Sequence, residues 1–238
     1  MKLDILVLAA HPDDAELSCS GTIATHIANG CKVGIVDLTR GEMGTRGSAD
    51  LRDKEAENAA RVMGISAREN LRFEDAFFQN DKDHQMALIR VIRKYQPEII
   101  LANAVHDRHP DHGKAAELIR TSVFLSGLRK IETTGEDGSQ KEWRPKALYH
   151  FIQSLYIKPD FVVDISDHWE TKMNSIRAYE SQFYSKSSHE PETYISRPEF
   201  IDFLEARARE FGNIIGVKYG EGFTVNKAIG VTDLFALK

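Results

Sequence analysis

Two short segments of the sequence concentrate side chains that can bind a cation or move a proton. The first, AAHPDD, follows an apolar run and contains His11, Asp13 and Asp14. The second, HDRHPDH at residues 106–112, holds three histidines and two aspartates within seven residues. Imidazole nitrogens and carboxylate oxygens are ligands of catalytic zinc, which takes three protein ligands and leaves one position open. The residue types therefore favour a metal centre.

Either segment alone has an ordinary explanation, because acidic residues stabilise helix N-termini and charged loops are usually solvated. Bringing both segments to one place is unfavourable unless a cation offsets the like charges. We expect His11, Asp14 and His112 to bind that cation, since the first two are three residues apart across a turn. Zinc is the expected metal, and the same ligands also accept Fe²⁺, Co²⁺ or Mn²⁺.

The remaining side chains of the two segments have the chemistry of acid–base catalysis. Asp13 lies beside a predicted ligand and can accept a proton from a zinc-bound water, whose pKa the metal lowers. A protonated His109 can stabilise an oxyanion or protonate a leaving amine. Asp111 can hydrogen-bond His109 and keep it cationic. Together these roles predict metal-assisted hydrolysis of an amide.

Strands and helices that alternate along the first half of the chain position both segments. The predicted strands cover residues 2–10, 32–39, 70–73 and 98–104, and the predicted helices cover residues 16–29, 50–63, 83–95 and 113–126. This alternation indicates an α/β, Rossmann-like fold, with a mostly parallel sheet and helices on both faces. Both segments directly follow predicted strands. We therefore expect an active site at the carboxyl ends of the strands.

The second half of the chain has a looser pattern. Strands are predicted at ALYHFIQ and FVVDIS, and helices from Ser166 or Asp167 to about Phe183 and over residues 198–211. The polar segments ETTGEDGSQKEW and YSKSSHEPETYISRP predict, respectively, a hairpin tip or exposed loop and an irregular stretch. We see no internal repeat, low-complexity tract or linker in the sequence. We therefore expect residues 1–238 to form a single domain.

Composition narrows the class of protein. A formal net charge of −5 is unlike the concentrated basic surface of a nucleic-acid-binding protein. Two cysteines are too few for a disulfide framework or a thiolate cluster, and indicate a reducing cytoplasm. The N-terminal apolar run is short and interrupted by Asp4, so neither a signal peptide nor a membrane span is expected.

A family resemblance adds to this interpretation. AHPDDAEL (residues 10–17) together with HPDH (residues 109–112) resembles the LmbE/PIG-L-like zinc-dependent N-acetylglucosamine deacetylases. The resemblance extends over most of the chain, through LTRGEMGTRG with Leu51-Arg52, ESQF and YGEGF. HDRHPDH and the ending FG…IGV…EGF are most similar to the bacillithiol-pathway members, which deacetylate N-acetylglucosaminyl-malate. The resemblance implies a zinc cofactor, an N-acetylated aminosugar as small-molecule partner, and a homo-oligomer.

The resemblance also implies roles for individual residues. It implies zinc binding by His11, Asp14 and His112, base catalysis by Asp13, and an acid group formed by His109 with Asp111. Arg52 resembles the arginine that binds the sugar, and Arg108 is expected to bind carboxylates of the aglycone. Some relatives carry a tyrosine where Phe200 stands, and Tyr194 is the residue that could replace it. His106 is expected to stay outside the ligand set, because a fourth ligand would close the site.

The expected reaction is therefore hydrolysis of the acetyl group of N-acetylglucosaminyl-malate, in bacillithiol biosynthesis. Three alternatives remain open at the level of the sequence. The first is a deacetylase of another N-acetylated aminosugar. The second is a metal phosphoesterase, a class that often bridges two metal ions with more carboxylates. The third is a non-enzymatic protein that binds a sugar or a structural metal, which would need no base beside the ligands.

Overall fold

The computed structural model describes residues 1–183 and 189–236. Within these residues the strands are β1 (Ile5–Ala9), β2 (Val33–Thr39), β3 (Ala67–Phe73), β4 (Ile99–Ala102), β5 (Thr134–Gly135), β6 (Gly138–Ser139), β7 (Ala147–Phe151), β8 (Phe161–Asp164) and β9 (Gly220–Val225). The α-helices are α1 (Asp14–Ala28), α2 (Ala49–Met63), α3 (Lys82–Tyr95), α4 (Pro110–Ser126), α5 (Trp169–Arg177) and α6 (Glu199–Ile214). None of the described helices is long and apolar enough to cross a membrane.

Seven strands form one sheet in the order β3-β2-β1-β4-β7-β9-β8. Strands β1 to β4 and β7 are parallel, whereas β9 runs antiparallel to both β7 and β8. The chain moves outward from β1 to β3 and then returns to β4 on the other side of β1. In open sheets of this kind, ligands bind beyond the carboxyl ends of the strands where the order reverses. The predicted α/β fold with a mostly parallel sheet is confirmed.

The central strand β1 is buried on both of its faces. Ile5 and Val7 pack with α1, α2, α5 and α6, whereas Leu6 and Leu8 pack with α3 and α4. Side chains alternate between the two faces of a strand, so a strand covered by helices on both sides is apolar throughout. This explains the continuous apolar run before His11, and it confirms that helices cover both faces of the sheet.

The helix predicted to extend to about Phe183 is shorter in the structure. A 3-10 turn at Ser166–His168 leads into α5, which ends at Arg177. Beyond this point Tyr179 donates a hydrogen bond to buried Glu16. After Arg177 the chain is therefore held by tertiary contacts rather than by helical hydrogen bonds. Sequence periodicity does not predict such contacts.

Strand β9 was missed by the sequence analysis because it contains glycines, which weaken strand propensity. A Cβ atom on Gly222 would lie 2.9 Å from the ring of Phe211, and one on Gly220 would lie 2.5 Å from Val162. Both glycines are therefore required by the close packing of α6 and β8 against β9.

The polar segments fall outside the main sheet. ETTGEDGSQKEW contains the two-stranded hairpin of β5 and β6, which confirms that prediction. In the segment YSKSSHEPETYISRP, residues 184–188 lie outside the described part of the chain, and residues 189–198 contain no helix or strand. The short strand predicted at residues 70–73 is longer in the structure, since β3 begins at Ala67.

A buried ion pair joins the C-terminal half of the chain to α1. Lys172 Nζ on α5 lies 2.7 Å from Glu221 Oε1 on β9, and both side chains are at most 4% exposed. Lys172 also donates to the backbone carbonyls of Glu16 and Leu17. The Glu221 carboxylate accepts from two backbone N–H groups of α1. The pair is thus fully hydrogen-bonded, as a buried charge must be.

Replacing Lys172 with methionine should leave the Glu221 carboxylate buried without its cation. Breaking a buried pair in this way should lower the free energy of unfolding by about 3–5 kcal/mol, measured by urea denaturation. The matched control is Arg209→Gln, which removes an exposed ion pair with Glu205. That variant should be much less destabilised, because water and salt screen exposed pairs. Equal stability of the two variants would contradict this role of Lys172.

Candidate metal and catalytic site

The carboxyl ends of the parallel strands surround one cavity of about 380 Å³. The segment that follows each of these strands contributes residues to its wall. Lining residues from these segments are His11, Asp13 and Asp14 after β1, Gly41 and Met43 after β2, Asp75 after β3, His109 and His112 after β4, and Gln153 after β7. The predicted edge of the sheet therefore carries both polar segments of the sequence.

Asp14, the first residue of α1, is buried at the centre of this cluster. Its Oδ2 accepts from the backbone N–H of His11 and from Asn103 Nδ2, each at 3.0 Å. Its Oδ1 accepts from Gln153 Nε2 at 2.9 Å and lies 3.0 Å from His112 Nε2. Burial raises the pKa of Asp14, but the two imidazoles hold it well below its ordinary value. Asp14 is therefore ionised.

The imidazoles of His11 and His112 each direct one nitrogen at Asp14 and the other at a further carboxylate. His11 Nδ1 lies 3.5 Å from Asp14, and its Nε2 lies 3.0 Å from Asp75. His112 Nε2 faces Asp14, and its Nδ1 lies 2.5 Å from Asp107. Metal-binding histidines almost always hydrogen-bond a carboxylate, carbonyl or water through the nitrogen that does not bind metal. The predicted set of His11, Asp14 and His112 thus has the supporting contacts that such ligands need.

Four carboxylates, those of Asp14, Asp75, Asp107 and Asp111, lie within 3.5 Å of the His11 and His112 imidazoles. Carboxylates surrounding His11 and His112 raise the pKa of both imidazoles against the effect of burial, and that of His112 reaches about 9. A divalent cation bound by deprotonated imidazoles would compensate the same carboxylates, since metal ligands bind in their deprotonated form. The donor chemistry fits a divalent metal ion.

Within the described chain, two overlapping groups of side chains have ligand atoms within 4.8 Å of one another. One group is His11, His109 and His112, and the other is His11, Asp75 and Asp111. The predicted ligand Asp14 belongs to neither group, although it contacts both His11 and His112. The structure thus brings the predicted ligands together and adds His109 and Asp75 to their surroundings.

His109 and Asp111 are arranged differently from the sequence-based expectation. His109 Nδ1 accepts the backbone N–H of Asp111, at 3.3 Å. The Asp111 carboxylate instead lies 3.4 Å from His11 Nε2 and accepts from Lys114 Nζ at 3.1 Å. Burial, together with His11 and His112, lowers the pKa of His109. His109 is therefore a neutral imidazole whose acceptor is Nδ1, which leaves Nε2 as its hydrogen-bond donor.

Asp13 occupies a strained position beside this cluster. Its φ of 104° is a left-handed conformation that non-glycine residues rarely adopt and that is typical of functional sites. Burial raises the pKa of Asp13 to about 7, while Arg52 acts in the opposite direction. Arg52 Nη2 lies 3.1 Å from Asp13 Oδ2 and 2.5 Å from Gln182 Oε1. The arginine predicted to bind sugar is thus already paired with the predicted base.

Gly41 makes room for that arginine. A Cβ atom on Gly41 would lie 2.0 Å from Arg52 Nη1, and the φ of Gly41 is +64°. Glycine is therefore required at this position by both space and backbone conformation. The glycine-rich loop after β2 therefore packs closely against the Arg52 guanidinium.

The other predicted substrate residues lie on the outer side of the cavity. Arg108 lines it, with its guanidinium carbon 4.3 Å from the centroid of the Tyr194 ring. Tyr194 and Phe200 also line it, and their rings meet edge to face with centroids 5.6 Å apart. His106 is exposed and does not line the cavity. The structure thus places Tyr194 beside the position where some relatives carry a tyrosine.

Sequence reasoning missed four side chains that hold the cluster together: Asp75, Asn103, Asp107 and Gln153. Asp75 and Gln153 each stand two residues after a parallel strand, at Phe73 and Phe151. Asp75 lies just beyond the predicted strand at 70–73, and a polar residue at that place was a signal that could have identified it. The predicted strand ALYHFIQ instead included Gln153. The predicted strand at 98–104 instead covered Asn103, which lies beyond the end of β4 at Ala102.

Comparison with known proteins places this geometry in a family. Residues 6–123 match the PIG-L family, which is described as GlcNAc-PI de-N-acetylase. The crystal structure of the conserved protein TT1542 from Thermus thermophilus is 35% identical in sequence, with a TM-score of 0.86. That similarity covers 97% of both chains. The chain belongs to the PIG-L family.

Two curated relatives of this PIG-L protein act on different compounds. The diacetylchitobiose deacetylase of Thermococcus kodakarensis is 28% identical, over 92% of this chain and 81% of its own. The probable N-acetyl-alpha-D-glucosaminyl L-malate deacetylase 2 of Bacillus subtilis is 28% identical, over 76% of this chain and 84% of its own. Equal identity to both relatives does not favour either substrate.

Replacing Asp107 with asparagine should weaken metal binding by this PIG-L protein. The amide cannot provide the charged acceptor that orients His112 and makes it more basic, so metal affinity should fall about 10- to 100-fold. Titration of zinc against a chromophoric chelator measures the change. The matched control is Asp81→Asn, which removes the exposed carboxylate of another imidazole pair, with His84. Equal affinity of the Asp107 variant and the parent protein would contradict the assignment of His112.

Proposed function

We propose that this protein hydrolyses the N-acetyl group of an N-acetylglucosaminide, with Zn²⁺ bound by His11, Asp14 and His112. The observation that carries this proposal is the different environment of two adjacent carboxylates. Asp14 is held within the imidazole cluster, whereas Asp13 lines the cavity and has its pKa raised to about 7. A general base is most effective when its pKa lies near the operating pH. Asp13 is therefore the base.

The reaction is a hydrolysis with defined roles for two side chains. A divalent cation held by the three ligands would supply electrophilic activation of the amide carbonyl and of water. Asp13 accepts a proton from water as the water oxygen bonds to the carbonyl carbon. The Nε2–H of His109 donates to the oxygen on which negative charge develops. Asp13 returns the proton to the departing nitrogen as the C–N bond breaks, which leaves a free amine and acetic acid. The acid then loses its remaining proton to become acetate.

A metal phosphoesterase with two metal ions is the alternative from another class, and the group of His11, Asp75 and Asp111 is the candidate second site. The contacts of this group argue against a second cation. Both Asp75 oxygens accept backbone N–H groups, at 2.9 and 3.0 Å. Asp111 is paired with the Lys114 ammonium, which would repel a metal ion. We therefore expect one metal ion per chain and no hydrolysis of phosphate esters.

The finer proposal is that the substrate is N-acetylglucosaminyl-malate, in bacillithiol biosynthesis in the cytoplasm. An acetyl group offers little contact, so binding energy must come from the rest of the substrate. Arg108 lines the cavity, and its guanidinium suits a carboxylate of the malate. The probable deacetylase of Bacillus subtilis is named for this substrate. Diacetylchitobiose, the substrate named for the Thermococcus relative, is the neutral alternative.

Release of acetate from three substrates tests both levels of the proposal. The zinc-loaded protein is assayed with N-acetylglucosaminyl-malate, diacetylchitobiose and free N-acetylglucosamine. One charge-assisted hydrogen bond contributes about 1.5–3 kcal/mol, so kcat/KM for the malate should exceed that for free N-acetylglucosamine roughly 10- to 100-fold. Asp13→Asn should keep its metal and lose at least about 10²-fold in turnover, as expected for a missing general base.

Three outcomes would contradict parts of this proposal. Equal kcat/KM for the malate and free N-acetylglucosamine would exclude the malate as the preferred substrate and leave a general aminosugar deacetylase. Loss of metal from the Asp13 variant would make Asp13 a ligand rather than the base. No acetate from any substrate would exclude the deacetylase itself.

Removal of the Arg52 charge should change the pH dependence of hydrolysis. Arg52 lowers the pKa of Asp13, so Arg52→Gln should raise this pKa. The base acts when deprotonated, so the acid limb of kcat/KM should move to higher pH by about one unit or more. Arg52→Lys keeps the charge and should shift the limb less. An acid limb that does not move in Arg52→Gln would show that Asp13 does not determine it.

A further inference from the structure

One face of α6 forms a wall of the cavity, although this helix follows none of the parallel strands. Residues on this face recur at spacings of three or four, which is the repeat of one helix face. They are Phe200, Phe203, Leu204, Arg207, Ala208 and Phe211. Arg207 is the one charged residue in this set. A single cation on an apolar wall therefore faces the space beside the metal cluster.

Arg207 is half-buried and held in place without a carboxylate. Its Nη2 donates to the backbone carbonyl of Ser154 at 2.8 Å. Its guanidinium carbon lies 4.6 Å from the centroid of the Phe203 ring. Within residues 1–183 and 189–236, Arg207 forms no ion pair with a carboxylate. Burial of a charge is unfavourable unless the charge is paired. A bound anion would therefore stabilise this guanidinium.

Arg108 presents a second guanidinium to this cavity, from a more exposed side chain. It is stacked on Tyr194 as Arg207 is stacked on Phe203, and it too lacks an ion pair within the described part of the chain. Stacking on a ring occupies the face of a guanidinium and leaves the N–H groups at its edge free to bind an oxyanion. The third arginine that lines this cavity is Arg52, and it differs because Asp13 already pairs with it.

We propose that Arg207 is a specificity-determining residue that binds, together with Arg108, an oxyanion group on the aglycone of the substrate. This inference rests on the proposed deacetylase function, since it takes the sugar amide to lie at the metal cluster. A carboxylate or a phosphate provides the required chemistry. The apolar residues of α6 pack against the uncharged part of the same substrate.

The test compares anionic with neutral substrates in Arg207→Gln. The substrates are N-acetylglucosaminyl-malate, N-acetylglucosamine 1-phosphate and the neutral methyl N-acetylglucosaminide. Loss of one charge-assisted contact should lower kcat/KM about 10- to 100-fold for the anionic substrate that uses this subsite, with little change for the methyl glycoside. The lower kcat/KM should come from a higher KM with kcat unchanged, because the contact is present in both the ground state and the transition state. The two anionic substrates distinguish a carboxylate from a phosphate.

Two further variants control for effects on folding and on charge. Arg209→Gln changes an arginine on the same helix that is exposed and paired with Glu205. The kcat/KM of this variant should be unchanged for all three substrates. Arg207→Lys keeps the charge without the forked geometry and should recover part of the loss. Full activity of Arg207→Gln on the methyl glycoside establishes that the variant is folded. Equal losses on all substrates, or no loss on any, would overturn the proposal.

Calorimetric titration separates this proposal from the proposed reaction. The deacetylated product, glucosaminyl-malate, is titrated into the metal-loaded parent protein and into Arg207→Gln. If product binding depends on Arg207 but no substrate releases acetate, the proposed anion subsite is supported and the proposed deacetylase function is excluded. If acetate is released but product binding does not depend on Arg207, the proposed deacetylase function is supported and the proposed anion subsite is excluded.

Discussion

The Asp14 carboxylate is the group on which the geometry of the site depends. Its two oxygens accept from the backbone after β1, from Asn103 after β4 and from Gln153 after β7. Asn103 in turn accepts the backbone N–H of Ala10 at 2.8 Å. Burial of a carboxylate is costly unless it is hydrogen-bonded, and each of these N–H donors offsets part of that cost. One side chain thus sets the spacing of three strand ends and orients two imidazoles between them.

Two adjacent aspartates can have different chemistry because the backbone between them is strained. The positive φ of Asp13 sends its side chain towards Arg52, while Asp14 begins α1 and enters the imidazole cluster. Such a conformation costs about 1–3 kcal/mol and persists only where the surroundings enforce it. Here the enforcing contacts are the Arg52 guanidinium and the space that Gly41 leaves for it.

The two halves of the chain supply different parts of the cavity. Parallel strands and their loops carry the charged cluster, and α6 supplies the largely apolar wall opposite to it. The buried Lys172–Glu221 pair fastens the C-terminal half to α1, and glycine-containing β9 packs closely against α6 within that half. Residues of α6 can therefore change the space offered to a substrate without altering the metal ligands.

The sequence by itself determined the α/β architecture, the edge of the sheet at which the site lies, and the convergence of His11, Asp14 and His112. The architecture follows from local patterns, since apolar runs and capping residues act over a few positions. The convergence follows from that architecture, because both polar segments come directly after strands of one parallel sheet. Only the tertiary structure decided that Asp111 faces His11 rather than His109, that Arg52 pairs with Asp13, and that Arg207 lines the cavity. Strand β9 and the end of α5 were decided in the same way. Contacts between residues far apart in the chain fix all of these, and local sequence periodicity contains no information about them.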